Sequence, residues 1–332
     1  MAALSVTNPT ILDLIKSQDP NGKIADIVEI LSQQNEVLDD MTWMEGNLTT
    51  GHRGVIRSGL PTPTWRKLYG GVQPGKSEKV QVTDNTGMLE AYAEVDAALV
   101  GMAADPAKFR LQEEAAHLES MNQEIAQTLF YGNEGTEPEA FTGLTPRFND
   151  LSADNAENII VGGSADTDNA SIWLVVWGPN TVHGIVPKGS KAGFQHTDKG
   201  LVTIEDADGN GGRMEAYRSH YRWDAGLHVR DWRSIVRICN IEKSALTKDA
   251  ATGPDLPDLM YQALEQVHNL NMGRPVFYMS RNTRSFVRRQ VTNKTKDSTL
   301  TMENVGGKMI QFFHEIPMKR CDALAADEAL VS

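Results

Sequence analysis

Apolar residues in the first part of the chain recur at helical spacing, but only in short runs. Asn8 and Pro9 are typical of a helix start, and a turn at residues 19–22 precedes a second apolar run at residues 24–31. Such short helices are marginal without a partner to pack against. We therefore predict an N-terminal arm over residues 1–45 that packs on a larger body or on another subunit.

Residues 46–90 follow a different pattern, in which short β-like stretches are separated by glycine and proline. Pro61 and Pro63 interrupt the apolar runs, and from Leu89 apolar and acidic residues alternate, which predicts a returning strand. A segment of this length without a core of its own is uncommon inside a compact domain. An extended two-stranded loop that reaches other chains would account for it.

The clearest helix is predicted over residues 105–131. Asp105 and Pro106 form a typical helix start, and Gly132 and Asn133 end the pattern. Apolar residues recur every three or four positions, which predicts one buried stripe. The stripe consists of Leu111, Ala115, Leu118, Met121, Ile125 and Leu129.

The second half of the chain predicts a β-rich body followed by mixed elements. The apolar runs SIWLVVW and SIVRICNI indicate buried strands within a body at residues 171–245. The segment at residues 246–332 then predicts a helix, a strand and a basic helix, at about residues 256–271, 275–280 and 281–292.

Composition narrows the class of protein. The chain has 332 residues, 40% hydrophobic and 23% charged, which is ordinary for a globular protein. No apolar run approaches the roughly 20 residues that cross a bilayer, and we expect no signal peptide. Two distant cysteines, Cys239 and Cys321, argue against a disulfide framework. The net charge of −12 disfavours sequence-specific nucleic-acid binding, although loose enclosure of nucleic acid remains open.

The string GGVQPGKS matches the phosphate-loop pattern of nucleotide hydrolases through Gly70, Gly75, Lys76 and Ser77. A working phosphate loop needs a buried strand before it and a helix after it. Here the preceding residues are mixed polar and aromatic, and the residues after Ser77 alternate like a strand. We therefore interpret the string as a turn in an extended arm.

Other candidate chemistry is weak. Asp206, Asp208 and Asn210 resemble the start of a calcium loop, but Tyr217 stands where the essential glutamate should be, so a hairpin turn is favoured. The eight histidines show no helical zinc spacing, and no serine lies in a nucleophile elbow. We predict no catalytic residue, no metal site and no cofactor.

Two arginine-rich stretches remain. Arginines between residues 213 and 237 interleave with Tyr and Trp, as on a single-strand stacking platform, but acidic residues among them favour charge pairs across strands. The second stretch could face packaged DNA, the acidic surface of a neighbour, or solvent. It contains Arg281, Arg284, Arg288, Arg289, Lys294 and Lys296.

The order of these parts resembles the Hong Kong 97-type capsid fold. Three strings are similar to major capsid proteins of short-tailed phages such as epsilon 15 and its relatives, and the resemblance spans nearly the whole chain. They are MTWMEGNLTTGHRGVIRSGLPTPTWRKLYGGV at 41–72, LFYGNEG with FTGL at 129–144, and WDAGLHVRDWRSIVRICNI at 223–241.

The resemblance implies an α+β shell subunit of a tailed bacteriophage, without catalytic activity. It also implies a division into an N-terminal arm, an extended loop, a peripheral domain with the spine helix, a β-rich body, and axial-domain helices with a C-terminal return. These correspond to residues 1–45, 46–90, 91–170, 171–245 and 246–332.

The implied function is self-assembly into an icosahedral head shell that encloses the dsDNA genome, assembled in the host bacterial cytoplasm. The implied partners are further copies in hexamers and pentamers, a scaffolding protein, a portal, possibly a cement protein, and packaged dsDNA through non-specific contacts, with no membrane. On the extended loop, we expect the intersubunit contacts to be made by Arg53, Arg57, Trp65 and Arg66.

Two alternatives remain open at this stage. An encapsulin-type nanocompartment shell would use the same fold without a genome, and a phosphate-loop enzyme would use the GGVQPGKS string. Electron microscopy of purified particles separates DNA-filled heads, small empty shells and a discrete oligomer.

Overall fold

The structure is a computed structural model, which describes most of the chain beyond residue 33. The described ranges are 9–10, 13–14, 33–163, 168–190, 194–205, 212–249, 253–294, 300–305, 308–325 and 327–332. Most of the predicted N-terminal arm, and residues 206–211 of the predicted hairpin turn, lie outside these ranges.

The described residues form both helices and strands, joined by irregular segments. The helices are α1 (Val37–Asp40), α2 (Ala97–Met102), α3 (Pro106–Tyr131), α4 (Leu256–Gln266) and α5 (Arg281–Lys294). The strands are β1 (Trp43–Glu45), β2 (Gly51–Gly59), β3 (Glu78–Asp96), β4 (Ile159–Val161), β5 (Asn169–Trp177), β6 (Val182–Val186), β7 (Phe194–Glu205), β8 (Arg213–Val229), β9 (Ile235–Glu242), β10 (Arg274–Met279), β11 (Leu300–Val305), β12 (Lys308–Phe313) and β13 (Ile316–Arg320). No helix among these is long and apolar enough to cross a membrane.

The chain divides into two compact units, each discontinuous in sequence. The first comprises Met1–Gln33, Met88–Ile125 and Gly193–Asp224. The second comprises Gln34–Gly87, Ala126–Ala192 and Ala225–Ser332. The elements β3, α3 and β8 contribute residues to both units. The five segments predicted from the sequence remain a prediction.

The first unit is built on the antiparallel pair of β7 and β8, with β3 beside β8. The predicted alternation from Leu89 is confirmed, because Ala93 and Val95 are buried while Glu90 is exposed. The strand then turns into α2, where the carboxylate of Asp96 accepts a hydrogen bond from the backbone N–H of Ala98 at 2.7 Å. The core of this unit contains Leu14, Val95, Leu99, Val100, Ala103 and Phe109.

The predicted start of the long helix is confirmed, but its predicted buried stripe is only half right. Met121, Ile125 and Leu129 are buried, whereas Leu111 and Leu118 are 65% and 41% exposed, and Ala115 is exposed as well.

Polar contacts explain the difference in the first half of α3. Glu114 accepts a hydrogen bond from the Ser219 hydroxyl at 2.7 Å, and Glu119 accepts one from the Gln33 backbone N–H at 2.8 Å. Glu114 and Glu119 are half-buried by these contacts, whereas Leu111 and Leu118 remain exposed. Two apolar side chains are left on the surface of the subunit.

The second unit contains a large sheet in which β5 is central. Strand β5 pairs antiparallel with β10 and β9, and β10 pairs parallel with β13. Every residue of β5 from Asn169 to Trp177 is buried, and β9 is buried from Ile235 to Ile241. Both predicted buried strands are thereby confirmed. Their near-continuous apolar sequence reflects coverage on both faces.

Helices α4 and α5 provide the apolar cover of this sheet. The inward positions predicted for α4, namely Met260, Ala263, Leu264 and Val267, are all buried. Helix α4 is shorter than predicted, because Val267 adopts extended backbone. Asn269 then caps a separate short turn by accepting a hydrogen bond from the Asn271 N–H at 2.9 Å.

A buried polar network lies behind β5 and β9. The guanidinium of Arg237 donates to Glu328 at 2.7 Å, to the Phe148 carbonyl at 2.7 Å and to the Ser171 hydroxyl at 3.2 Å. The hydroxyls of Ser171 and Tyr131 also donate to Glu328. These hydrogen bonds hold Glu328 in the buried interior of the second unit.

Candidate functional site: the extended hairpin and the basic helix

The β2–β3 hairpin is the candidate contact element. Strand β2 pairs antiparallel with the first part of β3, from Gly51 opposite Asn85 to Gly59 opposite Glu78. Between them, residues 60–77 contain no helix or strand. We call residues 60–77 the hairpin tip.

Large apolar side chains of the hairpin tip lie fully in solvent. Leu60 is 78% exposed, Leu68 is 90% exposed, and Trp65 and Tyr69 are 101% and 103% exposed. Fully exposed aromatic rings in one segment are typical of contact sites, since soluble monomers rarely leave such surface uncovered. Of these residues only Trp65 is predicted from the sequence as a contact residue; Leu60, Leu68 and Tyr69 are not. Their signal was available, because they are apolar residues in a segment without a core.

A tight turn presents the aromatic residues. The N–H of Gly70 donates to the Lys67 carbonyl at 3.0 Å, and the Arg66 side chain donates to the Gly70 carbonyl at 2.9 Å. Within this turn Tyr69 has φ of 62°, a left-handed conformation that costs a residue with a bulky side chain about 1–3 kcal/mol. The turn thus stores strain where a ring projects furthest from the chain.

The other two predicted contact residues lie on β2 rather than at the tip. The backbone N–H and carbonyl of Arg53 both bond to the Asn47 amide at 2.8 Å, and its side chain donates to the Thr83 hydroxyl at 3.2 Å. Arg57 is exposed opposite Lys79. The four predicted residues therefore lie on one hairpin but form no single cluster. Arg53 and Arg57 lie on β2, whereas Trp65 and Arg66 lie at the tip.

The hairpin also accounts for the phosphate-loop string. Gly70, Gly75, Lys76 and Ser77 are followed directly by β3 instead of a helix. The structure therefore lacks, at this point of the described chain, the helix N-terminus that would bind phosphate. The strand predicted after Ser77 is confirmed, whereas the extended arm stays a prediction.

The arginines between residues 213 and 237 are mostly in ion pairs. In the first unit, Arg218 bonds to Glu94 at 2.6 Å and Arg213 to Glu205 at 2.8 Å. Arg222 bonds to Asp224 at 2.9 Å, which raises the pKa of the guanidinium. In the second unit, Arg233 bonds to Asp231 and Arg237 to Glu328. Charge pairing was the favoured interpretation, and these contacts agree with it.

The basic run on α5 is more one-sided. Arg281 bonds to Asp322 at 3.2 Å, and burial lowers the pKa of the partly buried Arg284. Arg288 and Arg289 are exposed, and within the described residues neither forms an ion pair. The Gln311 side chain lies within hydrogen-bond distance of Arg284 and Arg288.

Arg288 and Arg289 line an open groove of about 480 Å³. Its remaining lining residues are Lys248, Ser285, Thr292 and Asn293. The groove thus combines three cations with hydroxyl and amide groups, which suits phosphate oxygens. The Lys294 side chain and residue 296 lie outside the part of the chain that the structure describes.

The comparisons with known proteins agree with this architecture. The family model for Major capsid protein GP7 matches residues 19–332. The solved structure of bacteriophage Epsilon15 is 40% identical in sequence, covers 100% of both chains and superposes with a TM-score of 0.77. No curated protein matches the chain significantly.

Two solved structures are more distant. The bacteriophage JBD30 capsid is 8% identical, covers 96% of this chain and 99% of its own, and has a TM-score of 0.47. The holo-SrpI encapsulin complex from Synechococcus elongatus PCC 7942 is 7% identical, covers 71% of this chain and 97% of its own, and has a TM-score of 0.43.

These findings define the class of protein as a bacteriophage capsid subunit with the predicted α+β, Hong Kong 97-type fold. Within that class, the chain belongs to the Major capsid protein GP7 family. It is a subunit of the icosahedral head shell and a component of the virion, as the resemblance implied.

Proposed function

We propose that the hairpin tip is the clamp by which one shell subunit holds the next. Trp65 and Tyr69 bind a neighbouring copy, and Arg66 holds the turn that presents them. The observation that carries this proposal is the complete exposure of both rings. A shell of many identical copies then repeats the contact at every subunit, so a modest contact suffices.

The available burial supports a contact of useful strength. An aromatic side chain buries about 150–250 Å², so each ring contributes up to about 4–6 kcal/mol at about 25 cal/mol per Å². Association costs several kcal/mol in lost freedom and ordering. Two rings per tip can offset that cost, whereas the exposed polar residues of the tip cannot.

On this proposal the subunit acts by assembly and not by catalysis. Its copies form hexamers and pentamers, and the exposed Leu111 and Leu118 on α3 offer further apolar surface to neighbours. A scaffolding protein, a portal and a cement protein are partners that we expect for such a shell but that no contact in the described residues identifies.

We also propose that the groove on α5 makes non-specific contacts with packaged dsDNA. Arg288, Arg289 and Lys248 supply positive charge on a chain whose net charge is −12. All three side chains are exposed, and neither arginine forms an ion pair within the described residues, so both can contact phosphate. Such contacts position a duplex without reading its sequence.

The double variant Trp65→Ala with Arg66→Ala tests the clamp. Because little of either side chain is buried within the subunit, the unassembled chain should melt like wild type in circular dichroism. Sedimentation should show few particles, or particles that break at lower temperature. Thr62→Ala with Thr64→Ala, two exposed changes in the same tip, is the matched control and should assemble normally.

Two results would contradict the clamp. Particles of the tip variant that form and survive heating like wild type would show that the tip is not a major contact. A tip variant that unfolds before assembly would place these side chains inside their own subunit.

A further inference from the structure

Three histidines far apart in sequence meet in the second unit. His52 lies on β2, His183 on β6 and His228 on β8, and the antiparallel pairing of β6 with β8 sets His183 opposite His228. The ring centroids of His52 and His228 are 4.5 Å apart, and those of His183 and His228 are 5.2 Å apart. One ring nitrogen from each histidine lies within 4.8 Å of the other two.

Several ring nitrogens of this cluster are buried without a hydrogen bond of ordinary geometry. His183 and His228 are 1% and 0% exposed. Among the described residues, Nε2 of His228 and Nδ1 of His52 have no hydrogen-bond partner. Neither nitrogen of His183 has one of ordinary geometry, although a backbone hydrogen bond with Gly178 acts on its pKa. Buried polar atoms are nearly always satisfied, so three imidazoles that bring such nitrogens within 4.8 Å of one another indicate a cation-binding site.

An acidic residue behind the cluster orients one of the rings. The Oδ2 atom of Asp84 lies 2.6 Å from Nδ1 of His228, and its Oδ1 atom lies 2.9 Å from Arg147. A carboxylate that accepts the Nδ1–H bond fixes the tautomer with its lone pair on Nε2. This carboxylate–imidazole pair is the usual support of a metal-binding histidine.

Gly54 lies close to that lone pair. A Cβ atom at this position would lie 2.7 Å from Nε2 of His228. Any residue other than glycine would therefore press on the His228 ring. Strand β2 thus contributes both a histidine and, two residues later, a close backbone contact with His228.

We propose that His52, His183 and His228 bind a divalent transition-metal ion, with Zn²⁺ as the ion of choice and water in the fourth position. Neutral imidazole is a preferred ligand of Zn²⁺, and three histidines with an open position form a common zinc set. The site joins the base of the β2–β3 hairpin to β6 and β8. It does not depend on the proposed clamp, since it lies within one subunit.

Two features oppose binding of the Zn²⁺ ion, namely the spacing of the rings and the positive charge of Arg230. Zn–N bonds of about 2.0–2.1 Å place ligand nitrogens roughly 3.3 Å apart in a tetrahedral site, so the rings must move closer than their present spacing. The positive charge of Arg230 opposes the ion; however, Arg230 is exposed and its guanidinium bonds to Asn180 at 3.0 Å. The carboxylate of Asp84 provides the opposite charge inside the site.

Titration of the purified, chelator-treated full-length chain with Zn²⁺ tests the site. Calorimetry should show one ion bound per chain, and Co²⁺ should give the strong visible absorption of a tetrahedral nitrogen site. His52→Gln removes the least buried ligand and should weaken binding by at least about 10–100-fold, the range seen when metal-site support is lost. His268→Gln, an exposed histidine elsewhere, should bind like wild type.

Gly54→Ala provides a second variant that keeps every ligand. The added methyl group should displace the His228 ring and so weaken Zn²⁺ binding, and urea unfolding of the metal-free chain, run alongside, separates that loss from any loss of stability. A wild-type chain that binds no Zn²⁺, or His52→Gln and Gly54→Ala chains that bind as tightly as wild type, would overturn the proposal. A Co²⁺ spectrum typical of six-coordinate oxygen ligands would overturn it too.

Discussion

The buried pair of Arg237 and Glu328 offers the sharpest test of how the second unit is held together. Their side chains are 2% and 4% exposed, and they bond at 2.7 Å. Arg237→Met removes all three hydrogen bonds of the guanidinium and leaves Glu328 charged and buried. Breaking one side of a buried pair costs about 3–5 kcal/mol, a large part of a typical total stability of about 5–15 kcal/mol.

A double-mutant cycle separates the pair from its surroundings. Glu328→Gln should lower the free energy of unfolding by a similar amount, because it leaves the Arg237 charge without its partner. The combined variant removes both charges and should cost less than the sum of the single changes by about 0.5–3 kcal/mol. Arg233→Met is the matched control, since its pair with Asp231 is half exposed and should cost at most about 1 kcal/mol.

Urea unfolding of the unassembled subunit measures all four free energies. Tryptophan fluorescence follows the unfolding, and its six contributing residues include Trp173, whose ring lies 5.2 Å from the Arg237 guanidinium. Single variants that each lose less than about 1 kcal/mol would refute the argument that the network supports the fold. Strictly additive losses would refute the coupling between Arg237 and Glu328.

Three further outcomes follow from the placement of other side chains. Ile125→Ala should destabilise the subunit by about 2–5 kcal/mol in urea unfolding. Leu118→Ala, at a 41% exposed position, should leave the melting temperature almost unchanged, and equal losses for the two variants would contradict the observed helix face. Lys76→Ala should leave particle yield within about twofold, on the view that residues 70–77 are a turn, and micromolar magnesium-dependent ATP binding by wild type, measured by calorimetry, would defeat that view. Arg288→Ala with Arg289→Ala should weaken DNA binding and reduce its salt slope by about two, and an unchanged slope would remove the proposed contact.

The sequence predicted those elements whose signal is local. The buried strands at β5 and β9 have near-continuous apolar runs, and Asp105 and Pro106 mark the start of α3. The extended loop at residues 46–90 is predicted from the opposite signal, because a segment rich in glycine and proline cannot bury a core. Here the resemblance to phage capsid proteins added the function, which no spacing of residues supplies.

The misses depend on contacts between distant residues. Apolar periodicity predicts that Leu111 and Leu118 are buried. It carries no information about the hydrogen bonds that Ser219 and Gln33 donate to Glu114 and Glu119. The three histidines at residues 52, 183 and 228 have no metal-ligand spacing, since strand register alone brings them together. The same holds for Arg237 and Glu328, which are 91 residues apart in sequence.

Electron cryo-microscopy of the assembled particle tests the central claim most directly, because it shows what covers the hairpin tip in the shell. The account predicts that the rings of Trp65 and Tyr69, fully exposed in the subunit, are buried against a neighbouring copy at every equivalent position. Rings that remain in solvent, or that fold back onto their own subunit, would contradict it.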